Sequence, residues 1–261
     1  MNLSLKNKTA LVCGSTQGIG KAAAVELALL GCNVVLVARN EDKLKAALEE
    51  LDQAQNQQHG YMCADFSKPD ELKTKVERLV SQRPIQILIN NTGGPAGGRA
   101  IDANISEYLN TFTQHLICNQ ILAQAVVEGM KKEGYGRIIN IISTSVKQPL
   151  SNLGVSNTIR GAVANWSKTL ASELGQYNIT VNNVLPGATN TIRLQSIAET
   201  KAAKTGQSVE EIFAEMASEV PMKRIAQPEE VANAIAFLAS PAASYINGIN
   251  VPVDGGRTKS L

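Results

Sequence analysis

The sequence contains few residues that could bind a metal ion. It has only two histidines, His59 and His115, and they lie far apart in the chain, whereas a zinc site needs three or four grouped protein ligands. The four cysteines have no CxxC spacing, and each lies in an apolar stretch where a small hydrophobic residue would serve as well. We therefore expect reduced structural thiols and no bound metal.

Long hydrophobic runs and a large excess of one charge are also absent. No stretch approaches the ~18 apolar residues that span a bilayer, and the first residues lack the apolar core of a signal peptide. The net charge is +2, with Lys and Arg scattered among Asp and Glu, whereas a nucleic-acid-binding surface concentrates basic residues. These absences predict a cytoplasmic protein without a membrane or nucleic-acid partner.

The residues that are present predict one packed domain. The 261 residues are 44% hydrophobic and 18% charged, and α/β folds of this length commonly form a single domain. Seven short, almost continuously apolar segments alternate with helix-length stretches, as is typical of strands buried on both faces of a sheet. This pattern predicts a single-domain α/β fold of the Rossmann type, with a doubly wound, mostly parallel sheet of about seven strands flanked by helices. The predicted strands are Thr9–Cys13, Asn33–Ala38, Gly60–Cys63, Ile85–Asn90, Arg137–Ile142, Thr180–Leu185 and Ile249–Val253.

The segment Ile192–Val220 departs from this alternation. It is helix-prone and charged, and it lies between the sixth strand and a last helix that is predicted to begin near Pro228. Helical insertions at the carboxyl edge of such a sheet commonly cover the ligand crevice, so we interpret the segment as a mobile substrate lid. The alternative is a fixed pair of surface helices.

A glycine-rich turn follows the first strand and leads into a helix. Backbone N–H groups in such a turn, together with the amino end of the helix, can bind the pyrophosphate of a dinucleotide. A strand precedes the turn, and a helix and a second strand follow it, which is the context that this motif requires. The candidate cofactor-binding residues here are Gly14, Ser15, Thr16, Gln17, Gly18 and Ile19.

The residues after the second strand indicate which dinucleotide binds. An acidic residue there would accept hydrogen bonds from the 2′-hydroxyl of NAD but would repel the 2′-phosphate of NADP. The chain has no acid at this point and has Arg39 instead, whose planar cation suits a phosphate. NADP is therefore predicted rather than NAD. The alternative is an ordinary surface arginine.

With these motifs in order, the chain resembles the short-chain dehydrogenase/reductase family, including its 3-oxoacyl-ACP reductase-like members, over essentially its whole length. The strand that ends at Ser143 and the terminal run Asp254-Gly255-Gly256 match the family pattern as well. The further cofactor-binding residues that the resemblance implies are Asp65 beside the adenine, Asn91, Thr92 and Gly93 at the NNAG-like end of the fourth strand, and Pro186, Gly187 and Thr189 after the sixth.

The resemblance also implies a catalytic serine, tyrosine, lysine and asparagine, with the tyrosine as proton donor to a carbonyl. Ser143 matches the serine, but Ser156 stands at the tyrosine position, Arg160 at the lysine position and His115 at the asparagine position. A serine hydroxyl is far less acidic than a phenol and its side chain is shorter, so direct proton donation by Ser156 is not expected. Arg160 keeps its charge and can still bind the nicotinamide ribose. Residues 91–95 and 145–149 resemble a divergent branch of the family in which SxxxR is the usual form.

Two functions remain open at this point. The first is an NADP-dependent oxidoreductase, similar to a 3-oxoacyl reductase or a small ketone or quinone reductase, in which Ser143 polarises the carbonyl and a water held by Ser156, Lys147 or His115 supplies the proton. His115 ordinarily titrates near neutrality, but it also fits a buried hydrogen-bonded role, and Lys147 fits an ordinary exposed lysine. The second is a catalytically silent NADP-binding protein that acts as a sensor or structural partner.

Two long predicted helices are candidates for contacts between subunits. The predicted helices Ser106–Glu133 and Asn152–Tyr177 carry small or apolar residues on more than one face, and the family resemblance implies a homotetramer built on them, with a second contact through Ile249–Val253. The alternative is packing against the sheet alone, which accounts for one face of each helix. The partner is expected to be a small carbonyl or alcohol, in a pocket between the loops after Asn91, Ser143 and Pro186 and the lid.

Overall fold

The computed structural model describes residues 1–260, in which seven strands form one sheet. All six neighbouring pairs are parallel, so the predicted doubly wound α/β fold is confirmed. The strands are β1 (Thr9–Cys13), β2 (Asn33–Ala38), β3 (Gly60–Cys63), β4 (Ile87–Asn90), β5 (Gly136–Ile141), β6 (Ile179–Pro186) and β7 (Asn250–Val253). Several strand ends differ by one or two residues from the prediction, because ladder hydrogen bonds and not apolar character set where a strand stops.

The strand order β3-β2-β1-β4-β5-β6-β7 reverses direction between β1 and β4. The chain runs outward from β1 to β3 and then returns to β4 on the other side of β1. In sheets of this kind, ligands bind outside the carboxyl ends of the strands at such a switch point. The glycine-rich turn follows β1 and Asn91 follows β4, so both lie at this crevice.

Helices cover both faces of the sheet. Along β1, Ala10 and Val12 enter one apolar core while Leu11 and Cys13 enter the other, because successive side chains of a strand point to opposite faces. The helices are α1 (Gly18–Leu29), α2 (Glu41–Glu49), α3 (Pro69–Gln82), α4 (Ile105–Phe112), α5 (Cys118–Glu133), α6 (Gly154–Leu174), α7 (Ile192–Thr205), α8 (Val209–Ser218) and α9 (Pro228–Ala239). The first core is closed by α1, α2 and α9, and the second by α3, α5 and α6.

Both long predicted helices differ from their predicted form. The stretch Ser106–Glu133 is not one regular helix, because a π-helical turn at Thr113–Ile117 separates α4 from α5. Such turns are rare and are frequently found at functional sites. The stretch Asn152–Tyr177 is regular only over α6: Asn152 has a φ of +58°, which is incompatible with a right-handed helix, and Gly175–Tyr177 forms a 3₁₀ turn.

A row of four asparagine side chains crosses the sheet from β4 to β7. Asn90 Nδ2 donates to Asn140 Oδ1 at 2.8 Å, Asn140 Nδ2 donates to Asn183 Oδ1 at 3.0 Å, and Asn183 Nδ2 donates to Asn250 Oδ1 at 2.8 Å. These residues are also register partners. Because a buried amide left without partners costs about 1–3 kcal/mol, the row opposes any slippage of the strands whose ends form the crevice.

Candidate active site

The turn between β1 and α1 lies at the crevice and is built from glycines at positions where a side chain would not fit. Gly14 and Gly18 have φ values of +59° and +54°, the left-handed region that favours glycine. A Cβ on Gly20 would lie 2.2 Å from the Gly14 carbonyl oxygen and 2.6 Å from Asn91 Nδ2. Only glycine therefore fits at position 20, and the turn lies directly against the residue that follows β4. This bare backbone fits a pyrophosphate, which needs close approach to N–H groups.

The residues between these glycines have different environments. Gln17 caps α1 without a side-chain hydrogen bond to it, so the first amides of the helix are open to an anion. Thr16 and Ile19 are half-buried beside them. Ser15 faces away, because its Oγ accepts from Val37 N at 2.9 Å and its own amide donates to Val37 O at 3.4 Å. The Ser15 side chain thus holds the turn against β2.

Arg39 and Asp65 lie near each other at the ends of β2 and β3. The Asp65 carboxylate accepts a hydrogen bond from Ser67 N at 2.9 Å. This bond lowers the pKa of the carboxyl group, and the nearby charge of Arg39 lowers the pKa further. Arg39 itself is exposed. The structure therefore places an accessible cation and an ionised carboxylate where the adenosine half of a dinucleotide is expected.

His115 lies beneath the loop that follows β4. Its ring is 4% exposed, and Nε2 is 3.1 Å from the carbonyl oxygen of Gly93. Burial, assisted by the positive charge of Arg160, lowers the pKa of His115 to about 3. The ring is therefore neutral at physiological pH, with its one proton on Nε2 donated to Gly93. This arrangement favours the structural interpretation of His115 over that of an acid that titrates near neutrality.

Acidification is expected to destabilise the protein in part through His115. Its folded pKa of about 3 lies below the unfolded value of 6.5, so between these values the unfolded chain binds the extra proton and stability falls as the pH falls. From pH 7 to pH 5 this contribution amounts to about 2 kcal/mol.

Urea unfolding at several pH values, for the wild type and for His115→Asn, measures this contribution. Asparagine can still donate to Gly93 but does not titrate, so the variant should lose less stability on acidification than the wild type. Parallel curves for the two proteins would show that His115 has its ordinary pKa in the fold.

Ser143 follows β5 and presents its hydroxyl at the crevice. Its Oγ accepts a hydrogen bond from Ser145 N at 3.1 Å, as the cap of the 3₁₀ turn Thr144–Val146. A hydroxyl that accepts from an amide keeps its own proton for donation. The half-buried Ser143 can therefore donate to an oxygen atom of a ligand.

Ser156 and Arg160 lie one turn apart on α6, on the same helix face. Arg160 is 8% exposed, and its Nη1 donates to Ile141 O, at the end of β5, at 2.7 Å. Burial lowers the pKa of Arg160 to about 10, with a further contribution from the charge of Arg193. Arg160 is therefore still a cation at neutral pH, and the carbonyl that it binds, that of Ile141, lies two residues before Ser143. Ser156 is half-buried.

The connection after β6 returns to the cofactor turn. Gly187 donates to Val253 O at 2.9 Å, and the buried Thr189 donates from Oγ1 to Gly187 O at 3.2 Å. Half-buried Pro186 precedes them. Two residues further on, Thr191 Cγ2 lies 3.2 Å from the position of a Cβ on Gly18. The loops after β1 and β6 thus meet at the crevice.

Sequence reasoning missed Thr191 and Arg193 as site residues. Thr191 caps α7, and Arg193 donates a hydrogen bond to the carbonyl of Pro95, in the loop after β4. Nothing in the local pattern of either residue differs from that of an ordinary helix start. Their place at the site depends on a contact between segments that are about a hundred residues apart in the chain.

The four cysteines are unpaired, and Cys13, Cys32 and Cys118 are buried, as expected of structural thiols. Burial raises the pKa of all three thiols, that of Cys118 to about 12. Across residues 1–260, no three or more His, Cys, Asp or Glu side chains are grouped as metal ligands. Over the same residues, no helix has the length and apolar character needed to cross a membrane.

The fold and the crevice define a dinucleotide-binding protein of the Rossmann type, with a donor serine at the end of β5. A family model described as enoyl-(acyl carrier protein) reductase matches residues 14–258. The chain belongs to the short-chain dehydrogenase/reductase family, as the sequence motifs predicted.

Known relatives match over nearly their whole length. The NADPH-dependent reductase BacG of Bacillus subtilis is 34% identical over 98% of this chain and 100% of its own. The 3-oxoacyl-[acyl-carrier-protein] reductase FabG of Pseudomonas aeruginosa is 32% identical over 99% of this chain and 100% of its own. The structure of L-sorbose reductase from Gluconobacter frateurii, in complex with NADPH and L-sorbose, superposes with a TM-score of 0.93 at 32% identity over 100% of both chains. The predicted preference for NADP agrees with the cofactor named for BacG and for L-sorbose reductase.

Proposed function

We propose that this protein is an NADPH-dependent oxidoreductase that interconverts a small carbonyl compound and its alcohol. The Ser143 hydroxyl is the main support: it accepts from Ser145 N and keeps its proton for a carbonyl oxygen. The buried cation of Arg160 binds the carbonyl of Ile141, two residues before Ser143. The names of the relatives also support reduction, since BacG is an NADPH-dependent reductase and FabG a 3-oxoacyl-[acyl-carrier-protein] reductase. A 3-oxoacyl group and a small ketone or quinone are the substrate types that fit this chemistry.

In this proposal some residues of the crevice bind the cofactor, and Ser143 binds the substrate carbonyl. Bound NADPH supplies the hydride. Open amides of the turn and of the start of α1 would bind its pyrophosphate, while the Ser15 amide stays bonded to Val37 O. Arg39 would bind the 2′-phosphate, and Arg160 the nicotinamide ribose. Ser143 orients the carbonyl and donates to its oxygen, which stabilises the negative charge that grows there during reduction.

The proton that completes the alcohol needs a source other than a phenol, because position 156 is a serine. The neutral His115 ring, whose proton is donated to Gly93 O, is a poor source at physiological pH. We infer that a water molecule held by Ser156, one helical turn before Arg160, delivers the proton. Lys147, just beyond the turn that Ser143 caps, is the alternative donor.

Oxidation of NADPH with diketones, quinones and short 3-oxoacyl thioesters tests the proposal. Turnover of any of these compounds, together with NADPH binding, is the expected result. The missing phenol favours one other candidate, a catalytically silent NADP-binding protein that acts as a sensor or structural partner. Tight NADPH binding without turnover on the whole panel would support that second candidate.

Arg39→Ser is expected to weaken NADPH binding by about tenfold or more, since hydrogen bonds to charged groups are worth roughly 1.5–3 kcal/mol. NADH lacks the 2′-phosphate, so its affinity should change little. Fluorescence titration with both nucleotides measures the change. Arg78→Ser, which removes an exposed arginine of α3, is the control and should bind both nucleotides as the wild type does. Equal weakening of both nucleotides by Arg39→Ser would contradict a 2′-phosphate contact.

We also propose that the protein forms a homotetramer through α4, α5 and α6. Ile105, Leu109 and Phe112 lie on one face of α4 and are 73%, 63% and 38% exposed, which is unusual for apolar side chains on a monomer surface. Tyr245 and Ile249, next to β7, are exposed as well and support the second contact. Light scattering should give four times the chain mass, and a mass of one chain would contradict the proposal.

The helices α7 and α8 are the proposed substrate lid. They cover Ile192–Ser218 and are joined through Gly206, whose φ is +75°. Thr191, just before this segment, has its Cγ2 3.2 Å from the position of a Cβ on Gly18, which supports a lid next to the cofactor turn. Hydrogen exchange in α7 and α8 should slow when NADPH and substrate bind, and unchanged exchange would favour a fixed helical pair.

A further inference from the structure

Two arginine side chains lie beside the loop Gly93–Pro95, which follows β4. Arg193, the second residue of α7, donates from Nη2 to the carbonyl of Pro95. Its guanidinium atoms lie 3.6–3.8 Å from the position that a Cβ on Gly94 would take, so the arginine packs at contact distance from this loop. Arg160 lies near both Arg193 and His115: the charge of Arg193 lowers the pKa of Arg160, and the charge of Arg160 lowers the pKa of His115.

Neither guanidinium has an acidic partner. Among residues 1–260, no carboxylate lies within 4.0 Å of Arg160 or Arg193. A guanidinium has five N–H donors, yet the described hydrogen bonds use one from each, to Ile141 O and to Pro95 O. Arg160 is 8% exposed, and withdrawing a cation from water without a counter-charge is unfavourable. Arg193 is exposed, so its remaining N–H donors are open to a ligand. The two side chains together can therefore accommodate an anion.

The contacts proposed above for the cofactor do not use Arg193, and they assign Arg160 to the nicotinamide ribose, which carries no negative charge. The pyrophosphate site is the turn after β1, and the 2′-phosphate site is at Arg39 after β2. The loop Gly93–Pro95 follows β4, and Ser143 follows β5, so along the sheet edge the two guanidiniums lie toward the end where the carbonyl is reduced.

A further unpaired donor lies in the same region. Ser145 Oγ, in the turn that Ser143 caps, is 4% exposed and has no hydrogen-bond partner within the described residues. The neutral His115 contributes another N–H, though it is donated to Gly93 O. The contacts described for Arg160, Arg193, Ser145 and His115 thus provide donors and positive charge without a carboxylate partner, which matches an acceptor-rich, negatively charged group on a ligand.

Building on the reductase function proposed above, we propose that Arg193, with the charge of Arg160 close by, binds a carboxylate of the substrate, and that the protein prefers oxo acids to neutral ketones. A guanidinium suits this task because it can bind a carboxylate through two parallel hydrogen bonds. Gly94 is part of the same feature, since a side chain there would contact the Arg193 guanidinium.

Matched acid and ester probes test this inference. Levulinate and benzoylformate, each compared with its ethyl ester, are titrated calorimetrically into the full-length protein with and without NADP⁺, and the same four compounds are assayed with NADPH. We expect the acids to bind at least tenfold more tightly than their esters. Arg193→Gln should weaken binding of the acids at least tenfold, leave the esters and NADP⁺ unchanged, and raise KM for the acids more than it lowers kcat. Arg193→Lys should recover part of the loss.

Lys204→Gln is the matched control, because it removes one exposed positive charge from the same helix, three turns away; it should behave as the wild type. Equal affinity for acids and esters, binding of neither acid, or equal losses for acids and esters in Arg193→Gln would overturn the inference. Weaker NADP⁺ binding in Arg193→Gln would also overturn it, because the guanidinium would then bind the cofactor and not the substrate. Tight, Arg193-dependent binding of the acids without turnover would support the anion site while contradicting the reductase function.

Discussion

Replacing Ser143 with alanine is expected to lower kcat/KM for carbonyl reduction by about 100- to 1000-fold, the usual effect of removing one preorganised donor to a developing oxyanion. The hydroxyl is held by Ser145 N, so it is already oriented when the substrate arrives. NADPH affinity should not change, because no proposed cofactor contact passes through this side chain. Steady-state oxidation of NADPH and a separate binding titration measure the two quantities.

Two further serine variants test whether the loss of activity is specific to the site. Ser172→Ala removes an exposed hydroxyl on α6 that donates to Lys168 O, and it should retain full activity. Ser156→Ala should lose activity as well, with a larger loss at high pH, where a water-mediated proton becomes harder to supply. If Ser143→Ala retained wild-type turnover, the carbonyl would have to be polarised by another group, and the role given to the end of β5 would be wrong.

Gly20→Ala is expected to weaken NADPH binding by about 100-fold or more. The added methyl group would lie 2.2 Å from the Gly14 carbonyl oxygen, well inside contact distance, so the turn must open and the amides that face the pyrophosphate must move. Losing two backbone hydrogen bonds to a charged group, at roughly 1.5–3 kcal/mol each, gives a loss of that size. Titration with NADPH measures it, and thermal unfolding shows whether the variant is still folded.

Gly60→Ala provides the comparison. No atom lies within 4 Å of the position of a Cβ on Gly60, so this change adds the same methyl group to a strand without a clash. We expect Gly60→Ala to bind NADPH as the wild type does. Wild-type affinity in Gly20→Ala would show that the turn can open without cost and that its close packing is not needed for the cofactor.

Much of the fold could be predicted from the sequence because it depends on local patterns. The continuous apolar runs required strands covered on both faces, and alternate residues of β1 do enter separate cores. The glycine spacing after β1 predicted a turn with bare backbone, and Gly14 and Gly18 have the left-handed φ values that such a turn needs. These features depend on steric interactions between residues that are close in sequence, so they can be predicted from one sequence alone.

The local pattern did not predict the state of His115. A helix was expected through Ser106–Glu133, and an imidazole on it could have been an acid or a buried donor. The π-helical turn at Thr113–Ile117 and the carbonyl of Gly93, from a different loop, determine that the ring is buried and neutral. Arg193 was missed for the same kind of reason, since its position depends on Pro95, far away in the chain.

The order of residue types along the chain was enough to determine a parallel sheet and a dinucleotide turn, because each of these arises from patterns within about thirty residues. The succession of such local motifs along the chain was enough to indicate the family. The protonation state of His115, the position of Arg160 against β5 and the approach of Arg193 to the loop after β4 were decided only by the tertiary structure. Burial and distance between charges control those properties, and both are created when segments remote in sequence pack together.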